Sequence, residues 1–337
     1  MPFRMSNHPL VASSGDARVD QILGDVVALI EVRLPERVRG YYLVGSYAVG
    51  EARPSSDIDL IVLCKHELEA GERQSFAPVR DAGKRISAIP LDITLDSEDK
   101  FFRIGGVWFQ TASMFLYGED VRPRIPRKPV ERHIRDLMHS MYPLLARVRG
   151  NPAVLTYPLD NPDPASALRG YDARYRDEPE SRRTATKDLV NNVLCAANAL
   201  TLLRARQYVG AGKKSDIPQQ YRRWIGDEWT TLVEDIFEYC RVRWDYRLPD
   251  ASDERAQLHE LCEHALAFEN HFLMCYKDFL LADLQQPDPA IQLVAARRLG
   301  QLVYRDPSVA LALRRLAEAP SPELRDAAAA ALLQHES

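Results

Sequence analysis

The sequence has little of what would mark a disulfide scaffold, a zinc protein, a membrane protein or a nonspecific nucleic-acid binder. Its five cysteines (Cys64, Cys195, Cys240, Cys262 and Cys275) are scattered, odd in number and without CxxC spacing. That usage suits reduced thiols packed in a core. The eight histidines show no HExxH or comparable zinc spacing, and His259 and His264 are expected on the surface of a polar helix. No run of about 18 apolar residues occurs, and the N-terminus lacks the apolar centre of a signal peptide, so a soluble, cytoplasmic protein is expected, with no membrane partner. Net charge is only −4 over 337 residues. There is thus no global basic field, and nucleic acid is not expected as a partner.

What is present is enough apolar sequence for two or three domains, 46% of residues against 27% charged. The densest signal is YYLVGSYAVGEARPSSDIDLIVLC, from Tyr41 to Cys64. Tyr41 to Val44 is a short β-prone run that stops at Gly45, and Ser46 opens a stretch of small residues compatible with a helical turn. After the Pro54-Ser55-Ser56 break, Asp57 and Asp59 begin a second strand. Strand periodicity puts these two acids on one face and Ile58 and Leu60 on the other. Two like charges that close are normally tolerated with a cation between them, so the pair predicts a divalent metal site. Gly45 permits close backbone approach and Ser46 adds a hydroxyl beside free N–H groups, which predicts a phosphate cradle.

Gly-Ser, ten residues, then Asp-x-Asp resembles the signature of the DNA polymerase β-like nucleotidyltransferases. In that family a third carboxylate on a later strand completes the metal site. Here Asp92, the lone acid in the β-prone run Ile89 to Leu95, would supply it. The resemblance implies an α/β (α+β) catalytic domain with a small mixed sheet. It implies two Mg²⁺ ions held by Asp57, Asp59 and Asp92, and ATP as donor with its phosphates on Gly45 and Ser46. Residues 1–18 are expected to be disordered and 19–121 to form the catalytic domain, with a helix from Val19 to Leu34 and a third strand from Ile86 to Leu95. Pro90 suggests an edge or bulge position for that strand.

A Pro- and Arg-rich linker follows at 122–129, and helical periodicity resumes over Val130–Val148, Thr184–Tyr208, Trp229–Trp244 and Ser252–Leu284, the last expected to be capped by Ser252. These predict an all-α bundle over 130–284. The Pro-rich stretch 151–180 is expected as a long functional loop. The turn Tyr208 to Asp216, carrying Lys213 and Lys214, resembles the C-terminal half of streptomycin/spectinomycin-type aminoglycoside adenylyltransferases, which makes the two lysines candidates for a triphosphate contact. From 287 to 337 the Pro-initiated, small-residue pattern at Pro287 recurs 33 residues later at Pro320 and resembles HEAT-like repeats. This tail is expected to cap the preceding helix or to dock a protein partner.

The function these resemblances imply is transfer of a nucleoside monophosphate, AMP from ATP, to a hydroxyl of a small-molecule acceptor of the aminoglycoside antibiotic type, with release of pyrophosphate. Asp96, on the strand face of Asp92, is the leading acceptor contact, and Glu98, Asp99, Trp108, Tyr171, Asp172, Asp177 and Glu178 are further groups suited to a polycation. Two alternatives are transfer to protein or RNA, as by an AMPylating antitoxin, and a binding protein on an inactive nucleotidyltransferase fold.

Overall fold

The structure is a computed structural model that describes residues 9–173, 184–210 and 212–336. The chain forms two compact units: Met1–His133 with Arg206–Ile217, and Ile134–Ala205 with Pro218–Ser337.

The first unit begins with α1 (Ala17–Arg33), whose N-terminus is capped by the Asp16 side chain. Then come β1 (Val38–Val44), the four-residue α2 (Gly45–Ala48), β2 (Ile58–Cys64), α3 (Ala70–Ile86), β3 (Leu91–Ser97), α4 (Glu98–Ile104), α5 (Val107–Ala112) and β4 (Met114–Gly118). The strands form one mixed sheet in the order β3-β2-β1-β4. β1 is antiparallel to β2 and β4, whereas β2 and β3 are parallel and joined through α3.

Alternation along the strands builds two cores. Tyr41, Leu43, Ile58, Leu60, Val62, Leu91 and Ile93 turn toward α1 and α3 and bury Val19, Leu23, Val26, Val27, Ile30, Phe76 and Val79. Tyr42, Val44, Ile61 and Leu63 turn the other way, against Phe101 and Phe109. Asp59 shares this second face.

Several expectations change in detail. Residues 9–16 are ordered against the unit: the Val11 N–H donates to the Leu116 carbonyl, and Ser14 bonds Asp20. The third strand starts at Leu91 rather than Ile86, because α3 carries on to Ile86 from a Glu69–Glu72 capping box, through Pro78. Pro90 precedes the strand and lends its carbonyl to the Ile58 N–H.

The second unit contains α6 (Val130–Val148), β5 (Leu155–Tyr157), α7 (Lys187–Ala205), α8 (Asp216–Trp224), α9 (Thr230–Asp235), a π-helical stretch over Ile236–Arg243, α10 (Ser252–Leu284), α11 (Pro289–Gln301), β6 (Leu302–Tyr304), α12 (Pro307–Leu316) and α13 (Pro322–Glu336). The first residues of α6 and α8 lie in the first unit. Ser252 is the first residue of α10 rather than its cap, and no side chain caps that end.

Helix α10 packs on α7 and α11, and α11 on α13. Ion pairs thread this interior: Arg149 with the fully buried Glu269 at 2.7 Å, Arg147 with Asp188 at 2.7 Å and Arg135 with Asp283 at 3.1 Å. The stretch expected as a loop over 151–180 is irregular over most of its described residues and also contributes β5, which pairs in parallel with β6 of the tail. Residues 174–183 of that stretch, including Asp177 and Glu178, lie outside the described residues. No described helix is long and apolar enough to cross a membrane.

Candidate active site

The site grows from the junction of β1 and β2. Val44 pairs with Asp59 where the chain leaves β1. Gly45 then takes φ +71°, and a Cβ there would lie 2.2 Å from Asp59 Oδ2. Glycine is therefore required twice over, once for the left-handed backbone and once for the space that the carboxylate fills. Ser46 follows in the first turn of α2, half-buried. The loop back to β2 closes on itself: the Arg53 N–H donates to Ser56 Oγ at 2.8 Å and the Ser56 N–H to the Arg53 carbonyl at 2.9 Å. This delivers Asp57 one residue before the strand.

The parallel register of β2 and β3 pairs Asp59 with Asp92 directly. Neighbouring strands lie about 4.8 Å apart, so these are nearest-neighbour carboxylates on one sheet face. Asp57 sits two residues ahead of Asp59. Asp57 and Asp59 are half-buried, and Asp92 is exposed on the edge strand. On this face Phe101 and Phe109 pack in one cluster with Tyr42, Val44, Ile61 and Leu63. Tyr47, next to Ser46, has its phenol pKa raised chiefly by burial, with the Asp16 and Asp57 carboxylates adding to the effect and Arg18 opposing it.

Three carboxylates in this pattern are hard oxygen donors of the type that suits Mg²⁺. The donor chemistry therefore fits a divalent cation. Among the described residues no three His, Cys, Asp or Glu side chains converge closely enough to hold a metal ion. The acids are gathered by register and strand periodicity.

Lys213 and Lys214 were expected in a turn of the helical bundle, but the segment that carries them belongs to the first unit. Three anchors hold it there. Tyr208 Oη donates to the Lys128 carbonyl, and the Arg127 guanidinium lies 4.5 Å from the Tyr208 ring centroid. Gly212, at φ +78°, has room for no Cβ, which would stand 2.8 Å from the Ala112 Cβ. Finally, the Glu51 carboxylate accepts the N–H groups of Lys214 at 3.0 Å and Ser215 at 3.1 Å. Lys213 is exposed and Lys214 half-buried. Glu51 was missed in the sequence, although it stands inside the motif between Gly50 and Pro54.

Asp96 is not brought to the carboxylates. It lies four residues past Asp92, roughly 13 Å along the strand. There its carboxylate takes Lys100 Nζ at 2.7 Å and the Ser97 N–H at 3.0 Å. Its surroundings are a separate hollow with Arg73, Lys100 and Arg103. Among the other acceptor candidates, Glu98 is engaged by Arg39 and Tyr171 is fully buried, whereas Trp108 is exposed on α5.

A family model described as a nucleotidyltransferase domain matches residues 28–109. The spectinomycin 9-adenylyltransferase of Campylobacter jejuni is 27% identical over 106 residues, a stretch that covers 30% of this chain and 40% of that relative. A crystal structure of the spectinomycin adenyltransferase from Enterococcus faecialis, with ATP and spectinomycin, is 14% identical. It covers 72% of this chain and 98% of its own, at a TM-score of 0.38.

Proposed function

Taking residues 28–109 as the nucleotidyltransferase domain they match, we propose that the protein transfers AMP from ATP to a hydroxyl of a small-molecule antibiotic of the spectinomycin or aminoglycoside type. The observation that carries this reading is the register of Asp59 against Asp92, with Gly45 pressed on Asp59 at the mouth of the turn. Phosphate cradle and carboxylates thereby share one edge of one sheet. The likeness of the Campylobacter jejuni enzyme supports the donor and the acceptor class.

In this reading the amides after Gly45 and the Ser46 hydroxyl hold the outer phosphates of ATP. Asp57, Asp59 and Asp92 would hold Mg²⁺, which when bound neutralises the triphosphate and polarises its phosphoryl oxygens. Asp92, exposed on the edge strand, takes the proton from the acceptor hydroxyl. The freed oxygen attacks the α-phosphorus in line, the bond to the β-phosphate bridging oxygen breaks, and pyrophosphate leaves with that electron pair. Lys213 and Lys214 offset the charge of the leaving pyrophosphate. Asp96, already paired with Lys100, has no part in this scheme.

A pyrophosphate-release screen tests the proposal, using spectinomycin, streptomycin, other aminoglycosides and lincosamides with each nucleoside triphosphate and Mg²⁺. Release that needs both ATP and one of these acceptors is expected. Release with none of them, under conditions where ATP binds, would remove the antibiotic from the reading.

A further inference from the structure

We propose that Glu51 is the positioning residue that registers the Lys213–Lys214 turn against the Gly45–Ser46 phosphate turn. One residue reaches both. Its backbone N–H donates to the Ser46 carbonyl at 2.8 Å, and its carboxylate accepts the N–H groups of Lys214 and Ser215 at 3.0 and 3.1 Å. Ser46 and Lys214 are far apart in sequence, so this link fixes a distance that chain connectivity leaves open.

The contact also decides which groups of the lysine turn can meet a phosphate. Lys214 and Ser215 lead into α8, where free amides and the helix dipole favour an anion. Glu51 already occupies that position with two charge-assisted hydrogen bonds. These two amides are taken by the protein's own carboxylate and are not offered to an incoming phosphate. The other two anchors, Tyr208 on Lys128 and Gly212 on Ala112, hold the segment to the linker and to α5 and do not touch the phosphate turn. Loss of Glu51 would therefore leave the segment attached but out of register with Ser46.

This inference rests on the reading of the lysines as phosphate contacts, and its test separates the two. Amide hydrogen exchange and ATP–Mg²⁺ titration calorimetry are run on the full chain as wild type, Glu51→Ala and Glu51→Gln. In Glu51→Ala, exchange at Lys214 and Ser215 is expected to speed up about 10-fold or more, and ATP to bind about 10-fold more weakly. Glu51→Gln keeps one carbonyl acceptor and should protect one of the two amides and recover most of the affinity. Unchanged exchange in Glu51→Ala would show that the turn is held by other contacts and would overturn the proposal. Faster exchange with unchanged ATP affinity would reduce Glu51 to a structural cap and overturn it equally. A wild-type protein that does not bind ATP at all would instead sink the nucleotide reading, and the positioning role with it, whatever the exchange shows.

Discussion

Gly45 and Gly50 bracket the phosphate turn, and replacing each with alanine separates two effects. Both have left-handed backbones, at φ +71° and +73°. For any L-residue that conformation costs about 1–2 kcal/mol. At Gly50 a Cβ would meet nothing within 4 Å, so Gly50→Ala should lose only that amount. At Gly45 the new Cβ would stand 2.2 Å from Asp59 Oδ2 and 3.2 Å from its carboxyl carbon. The Asp59 side chain must then turn away or the strand must shift, adding about 1–3 kcal/mol as in other overpacked sites. The larger consequence is chemical, because the displaced group is the carboxylate paired with Asp92. Urea unfolding should rank Gly45→Ala below Gly50→Ala by at least about 1 kcal/mol. Calorimetry with ATP and Mg²⁺ should show binding within a few-fold of wild type for Gly50→Ala, and binding weakened by roughly 10-fold or more for Gly45→Ala. Equal stability and equal nucleotide affinity in the two variants would refute the close approach of the turn to Asp59.

Three further outcomes follow from other parts of the molecule. Asp92→Asn keeps the side chain's size and should leave ATP affinity within a few-fold while cutting turnover by about 10²-fold or more, read as pyrophosphate release; near-normal turnover would remove Asp92 from the proton transfer. His139 in α6, its Nδ1 2.6 Å from Tyr276 Oη, has its pKa lowered to about 4, first by burial and then by Arg298. Because the folded form resists protonation, its contribution is fully present above pH 6.5 and is lost as pH falls from there toward 4, by up to ~3 kcal/mol; His139→Gln should flatten that part of the stability curve measured by urea unfolding. Deleting Pro287–Ser337 removes β6, the strand partner of β5, together with the Tyr304 hydroxyl bond to the Leu273 carbonyl. It should leave a protein of low solubility, and a soluble truncated protein of unchanged stability would contradict the capping role of the tail.

The parts of the fold that could be read from sequence were those where local periodicity and burial agree. Val130–Val148 and Ser252–Leu284 are helices with the bounds their apolar spacing indicates. The face of Asp59 was legible because a two-residue period in an otherwise apolar strand leaves one side for the charge. The third strand was displaced because the isoleucines at 86 and 89 look β-prone in isolation, while α3 claims Ile86 and the strand begins only after Pro90. β4, only five residues long and ending in a glycine, has no comparable local signal. What no local pattern encodes is pairing at a distance. The β5–β6 pair joins short segments from far-apart parts of the chain. The docking of the lysine turn onto Glu51 depends on two backbone amides that carry no side-chain signature. The place of Asp96 was not legible for a related reason: strand alternation gives the face of a residue but not its distance from the other acids, and the Lys100 that pairs with it lies on the next helix.

The central claim is adenylyl transfer to a small antibiotic, and mass spectrometry of the acceptor tests it most directly. The full chain is incubated with ATP and Mg²⁺ together with spectinomycin or streptomycin, and acceptor and protein are both weighed. The account predicts that one of these acceptors gains a single AMP moiety, that the gain is lost in Asp59→Asn and Asp92→Asn, and that the protein's own mass stays constant. Unmodified antibiotics alongside an AMP-bearing protein or added polypeptide would contradict it and move the acceptor from the small-molecule to the macromolecular class.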